Sequence, residues 1–281
     1  MKRFSLYLIF IILFFGAGKQ ILQAQVSLAP TNLFITDQAN VSSLYISNNS
    51  QVAQEISVSF EFAYPGSDEK GNMVTVTNDS VSASRYGLNQ SIKAFPRQFV
   101  IQPGKQQTVR VQVRPLGSKP NGVYWTRVIV SSQAATKNLE ETKVAEGIGT
   151  KINYVFKQNI PGFYLKGKVN TGLITGQVTT SVEKGKLVAV AKLTPTGNAP
   201  YNGSVTARLT DSSGKEVASQ QQTIVAYFDV MRSIELVLPE AGLAPGKYAL
   251  DFAYETKRSD ISPTELVQAL PVKKRVEVEI K

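Results

Sequence analysis

"RQFVIQPGKQQTVRVQVRP", residues 97–115, alternates valine with arginine and glutamine over its second half. That period of two puts Val109, Val111 and Val113 on one face and Arg110, Gln112 and Arg114 on the other, the pattern of a strand buried on one side only. Ahead of it, Pro103 presets one backbone angle and Gly104 admits a positive one, which together spell a tight turn. The expectation is that "RQFVI" and "QTVRVQV" meet across that turn.

Reading outward from the turn, period-two stretches bounded by Asn, Ser, Gly or Pro predict strands near 26–35, 41–48, 53–63, 97–101, 107–114, 123–131 and 144–156. Seven short strands over this length suggest an immunoglobulin-like sandwich. Segment 65–91 reads as a long polar excursion, free to move, with one short strand at Met73–Thr77. After "NIPGF" at 159–163 the pattern restarts, with strands near 174–182, 186–194, 203–210, 215–226, 231–238, 247–255 and 273–280. Within these, "LTDSSGKEV" reads as a hairpin on Gly214, and Pro245 and Gly246 lead into a strand with Tyr248, Leu250, Phe252 and Tyr254 on one face. Pro161 and Gly162 are expected to end pairing and bend the chain between the two units. Segment 256–271 holds the one candidate for a helical turn, with Ser262 and Pro263 at its start.

The fold class is therefore all-β, two immunoglobulin-like β-sandwich domains in tandem. Residues 1–24 read as a signal peptide, 25–160 as the first sandwich and 161–281 as the second. The signal reading rests on Lys2 and Arg3 followed by an unbroken apolar run from Phe4 to Phe15, too short to span a membrane as a helix. Leu22, third before a cut at Gln25, is larger than usual there, which leaves a neighbouring cut or retention as an anchor open. Cleavage would remove Lys2, Arg3 and Lys19, leaving 28 basic against 21 acidic residues, a net charge of +7. This excess is spread along the chain apart from "VKKRVEV", which reads as solubility in an exported protein and not as a nucleic-acid surface.

The chain has neither cysteine nor histidine among its 281 residues. Disulfides, thiolate nucleophiles, imidazole bases and the commonest metal ligands are excluded together. No nucleophile elbow or serine–lysine spacing is present, and Asp68 with Glu69 and Glu140 with Glu141 lie in polar loops. The reading is of a non-enzyme with no cofactor and no metal. Trp125 is either a stacking platform for a ligand or, more commonly for a lone aromatic on an alternating strand, packed in the sandwich. Asn40, Asn48, Asn78, Asn89 and Asn202 begin Asn-x-Ser sequons, which matter only where the host glycosylates them.

Four blocks, "VSLAPTNLFITDQANVSSLYISNNSQ", "FPRQFVIQPGKQQTVRVQVRP", "GVYWTRVIVSS" and "TKINYVFKQNIPG", in this order and at these intervals, resemble the amino-terminal domain of PapD-like periplasmic chaperones of pilus and fimbria assembly. The likeness spans about residues 26–161. It implies a periplasmic chaperone that holds an exported pilin or surface-fibre subunit by donor-strand complementation, lending alternate side chains of the first domain's last strand to the client's open groove. It also implies two basic residues that grip the client's terminal carboxylate. This sequence places Asn32 and Asn153 at those positions, uncharged, with Lys151 and Lys157 near Asn153 and on its strand face as candidates to supply the charge. The implied donor positions read Val144, Glu146 and Ile148, with Ile152 following, and Glu146 would be costly if buried without a partner. Ile152–Phe156 is expected to belong to the domain's own core, which leaves any partner-binding role to the half of the strand before it. The competing reading is a structural, adaptor or adhesin-like component of a cell-envelope assembly; self-association through the exposed strand edge is a further option.

Overall fold

The structure is a computed structural model and describes residues 25–135, 154–240 and 242–280. Among them the chain is almost entirely β, arranged as two immunoglobulin-like sandwiches in tandem. The first sandwich contains β1 (Val26–Ala29), β2 (Leu33–Thr36), β3 (Val41–Asn48), β4 (Gln54–Glu61), β7 (Ile92–Phe95), β8 (Gln98–Ile101), β9 (Gln106–Val113), β10 (Gly122–Ala134) and β11 (Phe156–Lys166). One sheet runs β1-β3-β9-β7 and the other β2-β11-β10-β4-β8.

Val109, Val111 and Val113 are fully buried, as their alternation requires. Each contributes about 1.5–3 kcal/mol of burial. The pairing expected around them is different. β8 pairs with β4 in one sheet, whereas β9 pairs with β3 and β7 in the other. The Pro103–Gly104 turn, with Gly104 at φ +66°, therefore carries the chain across the sandwich instead of closing a hairpin. A tight turn fixes where the chain reverses; which sheet accepts the next strand depends on partners elsewhere in the sequence.

The second sandwich contains β12 (Thr171–Glu183), β13 (Lys186–Gly197), β14 (Tyr201–Thr210), β15 (Glu216–Ala226), β16 (Val230–Val237), β17 (Gly246–Glu255) and β18 (Val272–Ile280). Its sheets run β12-β13-β16 and β15-β14-β17-β18. The β14–β15 hairpin turns on Gly214 as expected, at φ +84°. Tyr248, Leu250, Phe252 and Tyr254 share the buried face of β17. β18 is an edge strand whose inward row, Val272, Lys274, Val276, Val278 and Ile280, includes one lysine, a charge that discourages pairing with another chain.

Both sandwiches carry the same small device. The Tyr124 hydroxyl donates to the Pro120 carbonyl at 2.8 Å, and the Tyr248 hydroxyl donates to the Ala244 carbonyl at 2.9 Å. Each is a tyrosine near the start of a central strand that bonds back over the preceding corner, a hallmark of immunoglobulin-like folds. The sequence shows it as "KPNGVY" and "LAPGKY".

Segment 65–91 does not form a free excursion. It holds a two-stranded hairpin, β5 (Tyr64–Ser67) with β6 (Met73–Val76), and the helix α1 (Ser80–Tyr86). Asp79 caps α1, its carboxylate accepting the Ser82 amide at 2.9 Å and the Tyr64 hydroxyl at 2.7 Å. Segment 256–271, the expected helical site, forms turns only. Its Ser262 hydroxyl bonds locally to the Thr264 hydroxyl, and the Glu265 amide donates to the Ser262 carbonyl at 3.0 Å, a single turn that is not continued.

Pro161 and Gly162, expected to end pairing, lie inside β11, opposite Arg127 and Thr126 of β10. The chain turns later, at Gly167, whose φ is +60°. The proline is tolerated because β2 joins β11 only from Gly162 to Leu165, so Pro161 stands where the strand has one neighbour.

A buried hydroxyl in the second sandwich supplies a test of the core. The Tyr201 side chain is wholly buried, and its oxygen has no hydrogen-bond partner. A buried polar group left unpaired costs on the order of 1–3 kcal/mol. Tyr201→Phe should therefore leave stability unchanged or raise it by about 1 kcal/mol, read by denaturant unfolding. A clear loss of stability would show that the hydroxyl is paired in solution.

Candidate functional site

The outward face of the β2-β11-β10 sheet begins with a row of aromatic rings. Phe34, Phe163 and Trp125 lie side by side in register across the three strands. Phe34 and Phe163 stack at 5.1 Å between ring centroids. Against this row pack Tyr227, Ala199, Val225 and Phe228 of the second sandwich, with Phe62 and Tyr86. The Trp125 ring is stacked on Tyr86 at 4.7 Å and on Phe62 at 5.9 Å, with Tyr227 edge-on at 4.8 Å. Both faces of the indole are occupied by the protein, so Trp125 is packed and is not a free stacking platform. It joins the two sandwiches.

Two residues further along β10, on the same face, stands Arg127. Here the interface opens into a cleft of about 550 Å³ whose walls include Asn32, Arg127, Pro161, Tyr227, Arg232 and Arg258. The Arg127 guanidinium donates to the Asn159 side chain at 3.2 Å and has no carboxylate partner among the described residues. Arg258 is neutralised by Asp260, with Nε to Oδ1 at 2.8 Å, and also donates to Asn202. That contact holds the Asp260 carboxyl below the usual carboxylate range. Arg232 is only 8% exposed and donates to the carbonyls of Gly66 at 3.0 Å and Val225 at 3.1 Å. Among the described residues no carboxylate pairs with it, and burial pulls its guanidinium below its ordinary value. The cleft thus holds a half-exposed cation ready for an anion and a buried one that keeps the local potential positive.

Of the residues singled out in the sequence, Asn32 lies in this cleft. It is buried, and its amide donates to the Thr31 hydroxyl at 3.2 Å. Lys157 does not join it: it pairs with Ser131, five residues along β11 from the Gly162 that faces Leu33. At about 3.3 Å per residue that is roughly 16 Å. Val144, Glu146, Ile148, Lys151, Ile152 and Asn153 lie outside the described residues. Arg127 was not singled out by sequence. The signal for it was present in "YWTRVIV", where it alternates with Trp125 on one face, but nothing local says that this face meets a second domain.

The open edge of β11 leads into the cleft. From Phe156 to Pro161 the strand pairs with β10 on one side and with no described strand on the other. Tyr154, Val155 and Phe156 are 66%, 52% and 45% exposed, so they are not the domain core that Ile152–Phe156 was read as. Tyr154 and Phe156 share a side of the chain with the buried Ile160, and their rings lie 6.4 Å apart. Between them and Ile160, Gln158 turns inward and donates to the Val26 carbonyl at 2.7 Å, tying β11 to the edge strand of the opposite sheet.

The site thus consists of an unpaired strand edge bearing exposed aromatics, running into a positively charged cleft between two immunoglobulin-like sandwiches. No protein-family model matches the chain, and no curated protein matches it. Among solved structures it is similar to the YadV chaperone, with 12% identity, 90% of this chain and 100% of that chain covered, and a TM-score of 0.46. It is similar also to the E. coli chaperone DraB, with 14% identity over 91% of this chain and 98% of that one and a TM-score of 0.40. A chain of the complex between the Salmonella enterica SafA pilin and the SafB chaperone matches at 13% identity, 90% and 97% coverage and a TM-score of 0.42. Each is a chaperone or a complex that contains one.

Proposed function

We propose that the protein is a periplasmic chaperone that captures an exported pilin-like or surface-fibre subunit by strand pairing along β11. The observation that carries this reading is the unpaired outer side of Phe156–Pro161, with Tyr154 and Phe156 exposed on one side of the chain, ending at a cleft that offers an unneutralised arginine. An extended client strand would satisfy the open backbone ladder, while the alternating aromatics fill the client's apolar groove. Val144, Glu146, Ile148 and Ile152 have the same parity as Tyr154 and Phe156 and would continue the donor row, with Glu146 its charged member. Arg127 and Asn32 would hold the client's terminal carboxylate, Arg127 supplying the charge that Asn32 lacks.

Deletion of the gene should lower the amount of one exported surface-fibre subunit, and that subunit should co-purify with the protein one to one. A normal surface-protein profile in the deletion strain, with a pull-down that recovers no partner, would end this reading. Stable residence in a mature envelope assembly, with no subunit depending on it, would favour the adaptor role instead.

A further inference from the structure

The sheet β12-β13-β16 ends in β16, whose outer side pairs with no described strand and receives from its own sandwich the Gln222 side chain, which donates to the Ser233 carbonyl at 2.8 Å. Two amides on that side, two residues apart, are met by the hairpin of the first sandwich. The Met231 amide donates to the Ser67 hydroxyl at 2.8 Å, and the Ser233 amide donates to the Gly71 carbonyl at 3.2 Å. From between them, the Arg232 side chain reaches back to the Gly66 carbonyl. Gly71 sits at φ +81°, and a Cβ there would fall 2.5 Å from the Ser233 nitrogen. The close approach of the two backbones depends on the absence of a side chain at this position.

We infer that the β5–β6 hairpin is an edge cap and a strap: the first sandwich lends it to close the open edge of the second and so fixes the angle between the two. An open sheet edge is a template for pairing with other chains, and covering it with a loop or hairpin is one way to blunt it. The hairpin also walls the cleft, since Pro65, Gly71, Asn72 and Met73 line it. Its docking therefore sets how wide the cleft stands. The contacts come from main-chain carbonyls and one hydroxyl, so they hold position without adding charge to the cleft wall. This inference needs no client and stands apart from the chaperone reading.

Amide hydrogen exchange on the full exported chain tests it, together with small-angle scattering and size-exclusion light scattering. In Gly71→Ala, exchange at Ser233 should quicken at least tenfold, the maximum dimension should grow, and oligomers should appear that the parent protein lacks. Ser67→Ala removes one hydrogen bond and leaves the backbone unstrained; here exchange at Met231 alone should quicken. Should Gly71→Ala fail to fold, the Ser67→Ala result decides. Unchanged exchange at Met231 in Ser67→Ala, or a folded Gly71→Ala protein of parental dimensions and exchange, would overturn the inference.

Discussion

Arg127→Glu should abolish client capture while leaving the fold intact. Arg127 is half-exposed and gives the protein one hydrogen bond, to Asn159, so little stability is at stake. Toward a bound carboxylate its role is larger, because a hydrogen bond between charged partners contributes about 1.5–3 kcal/mol, roughly ten- to a hundredfold in affinity. Reversing the charge adds repulsion in a cleft where the buried Arg232 alone remains unneutralised. The measurement is retention of the co-purifying subunit on an affinity column, beside a thermal melt that should match the parent protein. Lys157→Glu is the informative control. Lys157 lies roughly 16 Å along the strand from the Gly162 that faces Leu33 and is exposed, so its loss should weaken capture at most about fivefold. Wild-type capture by Arg127→Glu, or equal losses in both variants, would remove Arg127 from the carboxylate site.

Trp125→Ala should destabilise the protein by about 3–5 kcal/mol, the usual range for deleting a buried large aromatic. The indole is enclosed by Phe62, Tyr86 and Tyr227, and its cross-strand neighbour Phe163 stacks on Phe34. Two of these rings, Tyr86 and Tyr227, reach Trp125 from outside the sheet that carries it, so the void cannot be filled by one side chain shifting along a strand. The loss should fall on the junction: denaturant unfolding, followed by Tyr fluorescence and by circular dichroism, should change from coincident to separated transitions. A loss below about 1 kcal/mol, or transitions that remain coincident, would show that the aromatic cluster does not couple the sandwiches. The hairpin strap gives a second connection on the same interface, and because Tyr64 at its start packs on Phe62, Tyr227 and Phe228, changes at the two are expected to couple and not simply to add.

Much of the architecture was legible in the chain. Val109, Val111 and Val113 announced a one-sided strand, Gly214 a hairpin, and Tyr248 to Tyr254 a buried face, and each lies where that reading puts it. These are local matters: period two sets which face a side chain takes, and glycine or proline sets which backbone angles are available. The errors were of another kind. Strands β8 and β9 flank a clear turn but belong to different sheets, and segment 65–91, polar and turn-rich, is held by contacts to residues more than 160 positions away.

The candidate site divides along the same line. The resemblance brought Asn32 to the cleft, because its position on the first strands is fixed by the register of β2 with β11. It offered Lys151 or Lys157 for the missing charge; Lys157 stands further along β11, Lys151 lies outside the described residues, and the arginine beside Asn32 in the cleft comes from β10. By itself the sequence determined the class of fold, the lack of disulfide and imidazole chemistry, and the first domain's last strand as the surface to examine. Only the tertiary structure decided that this strand continues through Pro161 and Gly162, that Arg127 and not Lys157 shares the cleft with Asn32, and that a hairpin of one sandwich closes the edge of the other. The physical reason is that alternation tells each side chain which way to point and leaves open what it meets; its neighbour is chosen by pairing and packing between segments far apart in the chain.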